Sequence, residues 1–539
     1  MMPRRAAAAP RAAPRAAATA AAAAAGGGEE AAEVVIIGSG FSGLGAAVQL
    51  LKARVTSLVI LERAAAPGGT WRDNAYPGAA CDIPSHLYCF SFAPNPRFSR
   101  VYPGQQEIYD YLQSVAAKHG LLPKIRFGAD VRKCAWDGAT ATYALECADG
   151  RRFRGRFAVF GAGPLKDPKW PDIPGLDSFG GALIHSCRWP PGADRLAPLR
   201  GKRVAIIGTG ASAAQIIPPA AAAAAEMHVV QRTPAWVAPR ADSAYSPAAR
   251  AAFRHVPLAL RLHRLQLYLA HEVRYPLLMR GGPLAGRVSA GLAKRLGEYI
   301  RSEVPDAARA AALTPRYAPG CKRMLLSSDF YPAMARPNVH LHTQPAAAAT
   351  PTGLVLADGT ALENLDAVVC ATGFTVDAPL AGLEVIGQGG IALSEVWGDR
   401  PKAYLGSTVP GFPNLFFVLG PNTGLGHNSV VLMAEAQISY AVQGILAARG
   451  RGASAWATPR QAALDAFVSE MDARHKSKVW ATGGCASWYL TAGGENFSLW
   501  PGSTLDFMRR VRRFDAEAYE FGDAPPAAAG AAGGGGKEA

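Results

Sequence analysis

The stretch EVVIIGSGFSGLGAAVQLLKA, Glu33–Ala53, decides the fold of this chain. Its apolar beginning predicts a strand over Glu33–Ile37, and its later part has the pattern of a helix. Between strand and helix lie the glycines of a GxGxxG motif: Gly38, Gly40 and Gly43. A second apolar run, SLVILE, ends in Glu62 at about the 20-residue spacing of a dinucleotide-binding strand–helix–strand unit. The sequence therefore predicts a dinucleotide site, and the alternative is a glycine-rich turn between core elements.

The residue types of this first unit specify its ligand. The first glycine permits a tight turn, the second lets the backbone approach a pyrophosphate, and the third lets helix and strand pack closely. The phosphates are expected at the helix N-terminus. Because a carboxylate at Glu62 accepts hydrogen bonds from ribose hydroxyls, the site is predicted to prefer a ribose without a 2′-phosphate.

A second unit of the same kind opens at GKRVAIIGTGASAAQII, Gly201–Ile217. Its glycine motif consists of Gly208, Gly210 and Ala213. The next predicted strand lies in MHVVQRTPAW and is followed by Arg232, where the first unit has an acid. An arginine pairs with a 2′-phosphate, so this site is predicted to hold NADP. The alternative for Arg232 is a solvated charge at a strand end.

Two dinucleotide sites with different ribose preferences imply electron transfer between a nicotinamide and a second dinucleotide cofactor, most simply FAD. Disulfide reduction would need a close cysteine pair beside the flavin, and the spacing of Cys81 and Cys89 is not that of a redox pair. The eight cysteines include no CxxC pair and no metal-ligand spacing. We therefore expect reduced thiols, no metal site and a flavoprotein oxidoreductase.

Composition excludes several other classes of protein. The 539 residues carry a formal net charge of +15, but lysine and arginine are scattered, so nucleic-acid binding is not predicted. No run of Leu, Ile, Val and Phe is long enough to predict a membrane-spanning helix. Residues 1–31 are expected to be a disordered or transit-like leader, and residues 522–539 a disordered tail. The predicted location is the cytoplasm, or an organelle if the leader is a transit peptide.

Two longer motifs narrow the class. FGGALIHSCRWP fits the pattern FxGxxxHxxxWP, and GGTWRDNAYPGAACD, which ends at Asp82, fits GGxWxxxxYPGxxxD. With these motifs the chain resembles the class B flavoprotein monooxygenases, and within them the type I Baeyer–Villiger monooxygenases. Further similarity lies in GCKRMLLSSDFYPAMARPNV, ATGF, GPNTGLGHNS and LWPGST, so the resemblance covers about residues 32 to 515.

The resemblance implies that NADPH reduces FAD, that oxygen adds to give a peroxyflavin, and that one oxygen atom is inserted beside a ketone or aldehyde carbonyl to give an ester or lactone. Arg323 would supply a fixed positive charge, Asp82 would orient Arg323, and Lys322 would reach the NADP phosphate. The alternatives are a structural salt bridge for Arg323 and a turn cap for Asp82.

The resemblance also assigns further residues. His185 would control rotation of the NADP domain across an inter-domain hinge, with a satisfied structural histidine as the alternative; its companions are Phe179, Gly181 and Trp189. The FAD-binding residues would be Gly38, Gly40, Phe41, Ser42, Gly43, Glu62, Arg63, Gly69, Thr70, Trp71, Asp82, Tyr88, Val131, Thr372, Gly373, Asn422 and Ser429. The NADP-binding residues would be Gly208, Thr209, Gly210, Ser212, Gln215, Arg232, Thr233, Lys322 and Arg323.

The predicted fold is α/β, with two Rossmann-like dinucleotide-binding domains and a helical insertion. The FAD domain is expected over 32–177 and 346–521, and the NADP domain over 178–345. LDAVVCATGF is expected to mark the return to the FAD domain as a strand whose end approaches the flavin. Residues 243–312 are predicted to form basic amphipathic helices, which would cap the active site or contact a membrane surface.

Three other functions remain open at this level. A flavin-containing monooxygenase that oxygenates nitrogen or sulfur would not depend on Arg323. An NADPH oxidase would release hydrogen peroxide, and a flavoprotein without oxygen transfer would serve as a sensor or structural partner. The expected partners are O2 and a small organic substrate, with no prediction of the oligomeric state.

Overall fold

The structure is a computed structural model that describes residues 28–279, 281–376, 380 and 382–525. Most of the predicted leader and tail lies outside the described residues. At both edges the predicted boundaries are wrong by a few residues, because the first strand begins at Glu30 and the last ends at Gly522. The extra residues belong to these strands because they pair with strands inside the domain.

The strands differ in length and most are short. In chain order they are β1 (Glu30–Ile37), β2 (Leu58–Glu62), β3 (Ile125–Phe127), β4 (Val131–Asp137), β5 (Thr142–Cys147), β6 (Arg152–Phe160), β7 (Ala182–His185), β8 (Arg203–Ile207), β9 (Glu226–Val230), β10 (Val237–Ala238), β11 (Leu325–Leu326), β12 (Val339–His342), β13 (Ala346–Thr350), β14 (Gly353–Leu356), β15 (Ala361–Leu362), β16 (Ala367–Cys370), β17 (Glu384–Ile386), β18 (Leu415–Phe417), β19 (Trp456–Pro459) and β20 (Tyr519–Gly522).

The helices connect these strands and cover their sheets. They are α1 (Phe41–Lys52), α2 (Thr70–Asp73), α3 (Gln105–Lys118), α4 (Ala211–Ala223), α5 (Pro247–His255), α6 (Pro257–Glu272), α7 (Pro283–Glu303), α8 (Ala307–Leu313), α9 (Phe330–Met334), α10 (Leu393–Trp397), α11 (Val430–Arg449), α12 (Gln461–His475), α13 (Val479–Thr482) and α14 (Thr504–Arg510). A π-helical turn, Tyr275–Met279, follows α6.

The first domain is built on an eight-stranded sheet. Its order is β17-β4-β5-β6-β1-β2-β3, and β18 also pairs with β6. β1 is parallel to both β2 and β6, and α1 leaves the carboxyl end of β1. This is the arrangement that places a dinucleotide pyrophosphate at a helix N-terminus.

The second domain has a five-stranded parallel sheet with the order β12-β9-β8-β16-β7. β16 carries LDAVVCATGF and pairs with β8 and β7, so the predicted return to the FAD domain at residue 346 is wrong. The three-stranded sheet β13-β14-β15 also precedes that return. All four residues of β16 are buried, and an apolar run of this kind does not specify which sheet it joins.

Glycines in both nucleotide turns are needed because backbones approach closely. A Cβ atom on Gly43 would lie 1.8 Å from the carbonyl oxygen of Gly38, whose φ is +95°. In the second unit, Gly208 has φ +105° and a Cβ atom there would lie 2.7 Å from the carbonyl oxygen of Ala371. Side chains at these positions would therefore separate strand from helix or from the neighbouring strand.

The segment from 243 to 312 contains α5, α6, α7 and nearly all of α8. α6 packs on the first domain, whereas α7 and α8 contribute Leu296, Ile300 and Ala310 to the core of the second. The guanidinium of Arg264 on α6 donates to the carbonyl oxygens of His86 and Cys89 at 2.6 and 2.9 Å. The Tyr245 hydroxyl lies 3.2 Å from His86 Nδ1 and 3.3 Å from His263 Nε2. These contacts hold α6 and Tyr245 against the loop that follows Asp82 in the first domain.

Among the described residues, one helix, α11, is long and apolar enough to cross a membrane by length and composition, and half of its apolar window is buried in the protein. α11 packs on α1 so closely that a Cβ atom on Gly45 would lie 2.8 Å from the side chain of Ile438. It therefore packs as a core helix of the first domain.

Candidate active site

Arg323 and Asp82 form a two-pronged ion pair between distant segments. Arg323 Nε donates to Asp82 Oδ2 at 2.6 Å, and Nη2 donates to Oδ1 at 2.8 Å. A third hydrogen bond runs from Nη1 to the carbonyl oxygen of Leu425 at 3.1 Å. This planar geometry fixes the guanidinium while about three-tenths of each side chain stays exposed. The predicted pairing of these two residues is thus present in the structure.

The charges of the pair reinforce each other. Burial disfavours both ions, but the attraction and hydrogen bonds between them outweigh burial, so the pKa of Asp82 is lowered and that of Arg323 is raised. Burial raises the pKa of the neighbouring Cys81 thiol, and Asp82 raises it further. At neutral pH the site therefore holds a permanent guanidinium beside a carboxylate and a neutral thiol.

Two further arginines, which the sequence analysis missed, approach this pair. Arg240 contributes a positive charge that favours ionised Asp82, and its guanidinium donates to the carbonyl oxygen of Tyr102 at 3.2 Å. Desolvation lowers the pKa of Arg274, and the charge of Arg323 lowers it further. Neither arginine lies in a recognisable motif, so no signal in a single sequence could have identified them.

The first nucleotide turn has the geometry that a pyrophosphate needs. The backbones of Gly40 and Gly69 meet, because a Cβ atom on Gly69 would lie 3.1 Å from the Cα atom of Gly40. Ser42 is buried in the first turn of α1, and Thr70 begins α2. The structure therefore brings the GGxW motif onto the GxGxxG turn, which fits an FAD pyrophosphate there.

Glu62 is placed at the end of β2 as predicted, and its carboxylate is already hydrogen bonded. One oxygen accepts from the Ser39 amide and hydroxyl, and the other accepts from Ala64 N and the Arg72 guanidinium. A ribose hydroxyl would have to replace one of these donors, most readily the rotatable Ser39 hydroxyl. Arg72, which lies next to Trp71 in the GGxW motif, was missed by the sequence analysis.

Three predicted aromatic contacts form one cluster beside this turn. The Tyr88 ring lies edge-on to two others: its centroid is 5.2 Å from that of Phe41 and 5.6 Å from that of Trp71. Trp71 Nε1 donates to the Tyr88 hydroxyl at 3.2 Å. Val131 is buried at the start of β4. The cluster provides an apolar wall, and its contact with FAD stays a prediction.

Five of the predicted FAD contacts have hydrogen-bond or ion-pair partners within the protein. Arg63 pairs with Asp167 at 2.8 Å, and the Asn422 amide donates to the carbonyl oxygen of Asn496 at 2.9 Å. Ser429 caps α11 by accepting from Val431 N. The other two residues are on the inter-domain connection, where the Thr372 hydroxyl donates to the carbonyl oxygen of Lys169 and the Gly373 carbonyl accepts from Lys169 N. These five residues therefore also hold neighbouring segments of the protein together, and their contact with FAD stays a prediction.

The second nucleotide turn carries a cationic pair. Burial lowers the pKa of Lys322, and the positive charge of Arg232 lowers it further, so the two cations lie close to each other. The Thr209 hydroxyl donates to the carbonyl oxygen of Thr233 at 3.2 Å, and a Cβ atom on Gly210 would contact nothing within 4 Å. Two neighbouring cations fit a doubly charged 2′-phosphate.

Gln215, on α4 after the second nucleotide turn, contacts the first domain. Its amide oxygen accepts from the Tyr76 hydroxyl at 2.9 Å, and its amide nitrogen donates to the Ala80 carbonyl at 2.9 Å. A Cβ atom on Gly78, which has φ +81°, would lie 2.2 Å from the Gln215 carbonyl. The YPG motif thus packs on α4, near Ser212; Gln215 makes an inter-domain contact, and its contact with NADP stays a prediction.

His185 lies between the two domains. Its Nδ1 accepts from Cys187 N at 3.3 Å, and its Nε2 is 3.5 Å from the Thr372 hydroxyl. The ring is fully buried, and burial lowers its pKa, so the imidazole is neutral at pH 7. The placement of His185 in an inter-domain hinge is wrong in so far as residues 182–185 form β7, which pairs with β16 in the second sheet; the control role of His185 stays a prediction.

The other residues of the FxGxxxHxxxWP motif have packing roles. A Cβ atom on Gly181 would lie 2.6 Å from the Asp366 carbonyl and 2.7 Å from the ring of Phe179. Trp189 is buried, and its Nε1 donates to the Arg195 carbonyl at 2.9 Å. The motif therefore packs β7 beside β16 and places His185 at the end of that strand.

The expectation of eight reduced cysteines is wrong. Cys321 and Cys485 form a disulfide over a sequence separation of 164. Cys321 directly precedes Lys322 and Arg323 in the chain. Six other cysteines are free and buried, and they include Cys81 and Cys89. No local pattern identifies this pair, because residues so far apart become neighbours only in the folded chain.

Two dinucleotide-binding units joined through a fixed arginine define a flavoprotein oxidoreductase that works with a nicotinamide nucleotide. Residues 35–274 match the protein family described as pyridine nucleotide-disulphide oxidoreductase.

Similar proteins are more specific. A Baeyer-Villiger monooxygenase of Streptomyces coelicolor is 45% identical over 495 residues, which cover 92% of this chain and 93% of that protein. A Baeyer-Villiger monooxygenase of Pseudomonas aeruginosa is 39% identical over 496 residues, which cover 92% of both. The solved structure of OTEMO in complex with FAD and NADP has a TM-score of 0.82 at 25% identity, and covers 92% of this chain and 100% of that one.

The chain belongs to the Baeyer–Villiger monooxygenase family. It is an FAD- and NADP-dependent monooxygenase, which confirms the predicted class of enzyme and its cofactors.

Proposed function

We propose that this protein inserts one oxygen atom beside the carbonyl carbon of a ketone or aldehyde at the Arg323–Asp82 pair. The observation that carries this proposal is the guanidinium held at two nitrogens by one carboxylate, with accessible surface remaining on the arginine. The names of the related enzymes support the same reaction.

The reaction balances with one O2 and one NADPH. A ketone, O2, NADPH and a proton give an ester or lactone, NADP⁺ and water, so one oxygen atom enters a carbon–carbon bond and the other leaves as water. Bound FAD supplies the two-electron activation of oxygen. The two electrons come from the nicotinamide held at the second nucleotide turn.

The role of Arg323 follows from its charge. Addition of an oxygen nucleophile to a carbonyl develops negative charge on oxygen, and a fixed cation nearby stabilises that charge without reorganisation. A guanidinium cannot lose its proton in a protein, whereas a lysine beside other cations can. Arg240 and Arg274 add positive potential around the same point.

The test separates carbonyl oxidation from attack on a soft heteroatom. Purified full-length enzyme loaded with FAD is supplied with NADPH, ¹⁸O2 and either a panel of ketones or a thioether, and products are identified by mass spectrometry. Wild type should incorporate one ¹⁸O into an ester. Arg323→Ala should lose at least about 100-fold in ester formation, because one fixed oxyanion-stabilising donor is worth that much.

The control is Arg336→Ala, a matched change at an exposed arginine. It should leave ester formation unchanged. Sulfoxide without ester in wild type, or ester formation that survives in Arg323→Ala, would contradict the proposal and favour a heteroatom oxygenase. Hydrogen peroxide equal to the NADPH consumed, with every ketone, would indicate an oxidase.

A further inference from the structure

The outer face of α6 is apolar although it lies in solvent. Four leucines of the helix and Val273 directly after it are more than half exposed, with relative exposures of 62%, 56%, 51%, 57% and 53%: Leu258, Leu262, Leu265, Leu269 and Val273. Their spacing of three and four residues puts them on one side of the helix. We call these five residues the leucine face. Exposed apolar groups this large and contiguous mark an interaction surface.

The side of α6 opposite the leucine face is packed against the protein. Leu260 and His271 are buried there, and Arg264 is bonded to two carbonyl oxygens of the first domain. Leu267 and Tyr268 pack on a buried cluster that includes Ile83. The helix is therefore held from inside and presents the leucine face outward.

The charges around the leucine face all have one sign. Arg254, Arg261, Arg274 and Arg287 are exposed on α5, α6, the turn after α6, and α7. Between residues 243 and 297 the sequence contains a single acid, Glu272. That carboxylate accepts from the Asn428 amide and from Leu505 N at 3.0 Å each, so it offers little negative charge to a partner.

We propose that the leucine face docks on the surface of an anionic lipid bilayer. An apolar helix face with cations beside it is suited to lie at the headgroup boundary, with leucines among the acyl chains and arginines near the phosphates. The face is about 24 Å long, from 16 residues at about 1.5 Å each, and exposed leucines continue beyond it at Leu277 and Leu284.

A second copy of this chain fits the face less well. An isologous contact would bring the exposed arginines of two copies together, and residues 243–297 supply no acid other than the engaged Glu272 to pair with them, which is unfavourable. An anionic bilayer supplies the missing negative charge. The charge distribution therefore selects lipid over self-association.

Docking would also place the site described above next to the lipid. His271, buried on the inner side of α6, and Arg274, in the turn after α6, both interact electrostatically with Asp82. A carbonyl compound dissolved in the bilayer would then reach the site from the membrane side. This consequence rests on the proposed function, whereas the docking itself does not.

The experiment is vesicle flotation with the full chain. One set of vesicles is phosphatidylcholine, and the other is phosphatidylcholine with phosphatidylglycerol. Wild type should float with the anionic vesicles, and binding should weaken with salt. The double variant Leu262→Glu, Leu265→Glu should bind at least about tenfold more weakly, because two exposed leucines lose their insertion. Arg254→Gln and Arg261→Gln should each reduce binding about fivefold.

Leu122→Glu is the matched control, because Leu122 is a singly exposed leucine in the first domain, with 43% exposure. It should bind as wild type does. Thermal unfolding and NADPH oxidation of each variant establish that it is folded. The proposal is overturned if wild type does not float, or if the leucine-face variant floats as wild type does, which would assign binding to another segment such as the arginine-containing leader. A dimer seen by light scattering that the double variant abolishes, with no vesicle binding, would assign the face to a second copy.

Discussion

Asp82 and Arg323 are 241 residues apart in the chain, yet both oxygens of the carboxylate accept from the guanidinium, at 2.6 and 2.8 Å. Asp82 closes a motif of the first domain, and Arg323 follows the helical segment of the second. The pair therefore links the orientation of the cation to the way the two domains pack, and Gln215 and Tyr76 make another contact across the same boundary.

The first prediction concerns the carboxylate. Asp82→Asn keeps the size of the side chain but removes its charge, so the guanidinium loses its orientation and a charge-assisted bond. We expect ester formation to fall about 10- to 100-fold while NADPH oxidation continues, with more hydrogen peroxide released. Gas chromatography of the ester and a peroxidase-coupled assay measure the two products.

Asp194→Asn, at an exposed surface pair with Arg200, is the control and should change neither product. Equal loss of ester formation and NADPH oxidation in Asp82→Asn would instead mean that Asp82 supports the fold or the cofactor sites rather than the orientation of Arg323.

The second prediction concerns nucleotide choice. Arg232→Ala removes one of two neighbouring cations, and the loss of a charge-assisted phosphate contact should lower kcat/KM for NADPH about 10- to 100-fold. The value for NADH should stay unchanged, because NADH has no 2′-phosphate. Steady-state oxidation of both nucleotides measures the ratio.

Arg200→Ala is the control, because Arg200 is an exposed arginine just before β8, at the opposite end of that strand from the nucleotide turn. If Arg232→Ala lowers the values for both nucleotides equally, Arg232 does not select the phosphate, and the predicted NADP contact fails.

The third prediction concerns acid stability. Trp480 Nε1 donates to His475 Nδ1 at 2.9 Å, so that nitrogen must be unprotonated in the folded state. Burial lowers the pKa of His475 to about 4 from its ordinary 6.5. As the pH falls below about 6.5, the unfolded chain takes up a proton that the folded one refuses, so stability is lost between 6.5 and 4 and is fully present above that range.

His475→Gln should remove up to about 3 kcal/mol of this pH dependence, measured as the free energy of urea unfolding at pH 7 and pH 4.5. His255→Gln is the control for the substitution at an exposed site. A variant with the same pH dependence as wild type would show that other groups carry the acid sensitivity.

The fourth prediction concerns the disulfide Cys321–Cys485. The cross-link closes a loop of more than 160 residues, so reducing it gives the unfolded chain more freedom. The chain-entropy relation sets an upper limit of about 5 kcal/mol for the loss of stability. Dithiothreitol should therefore lower the Tm of wild type, and Cys485→Ser should already have the lower value and respond no further.

Cys147→Ser changes a free buried cysteine and should keep the response to dithiothreitol. Eight alkylated cysteines by mass spectrometry, in wild type unfolded in guanidinium without reductant, would contradict the presence of the bond.

Several features of this protein can be predicted from local sequence patterns. The strand, glycine turn and helix around Gly38 and Gly208 are contiguous in the chain, and each position has a steric reason that a sequence displays directly. The family motifs likewise identified Asp82 and Arg323 before their contact was known. These features depend on neighbours in sequence, so they can be recognised without the fold.

Other features exist only in three dimensions. β16 joins the second sheet rather than the first, because a fully buried apolar strand accepts partners on either side, and packing of the whole domain decides between them. The partners of Gln215, Arg63 and Asn422 within the protein are likewise visible only in the fold, because their hydrogen bonds run to segments far away in sequence.

The sequence by itself determined the class of enzyme, the two nucleotide turns and the identity of the fixed cation, because each is recognised from a motif whose residues lie a few positions apart. Only the tertiary structure decided which strand enters which sheet, that Cys321 meets Cys485, and that the leucine face of α6 points outward. These outcomes depend on long-range packing, where burial and hydrogen bonding are satisfied by the whole fold together.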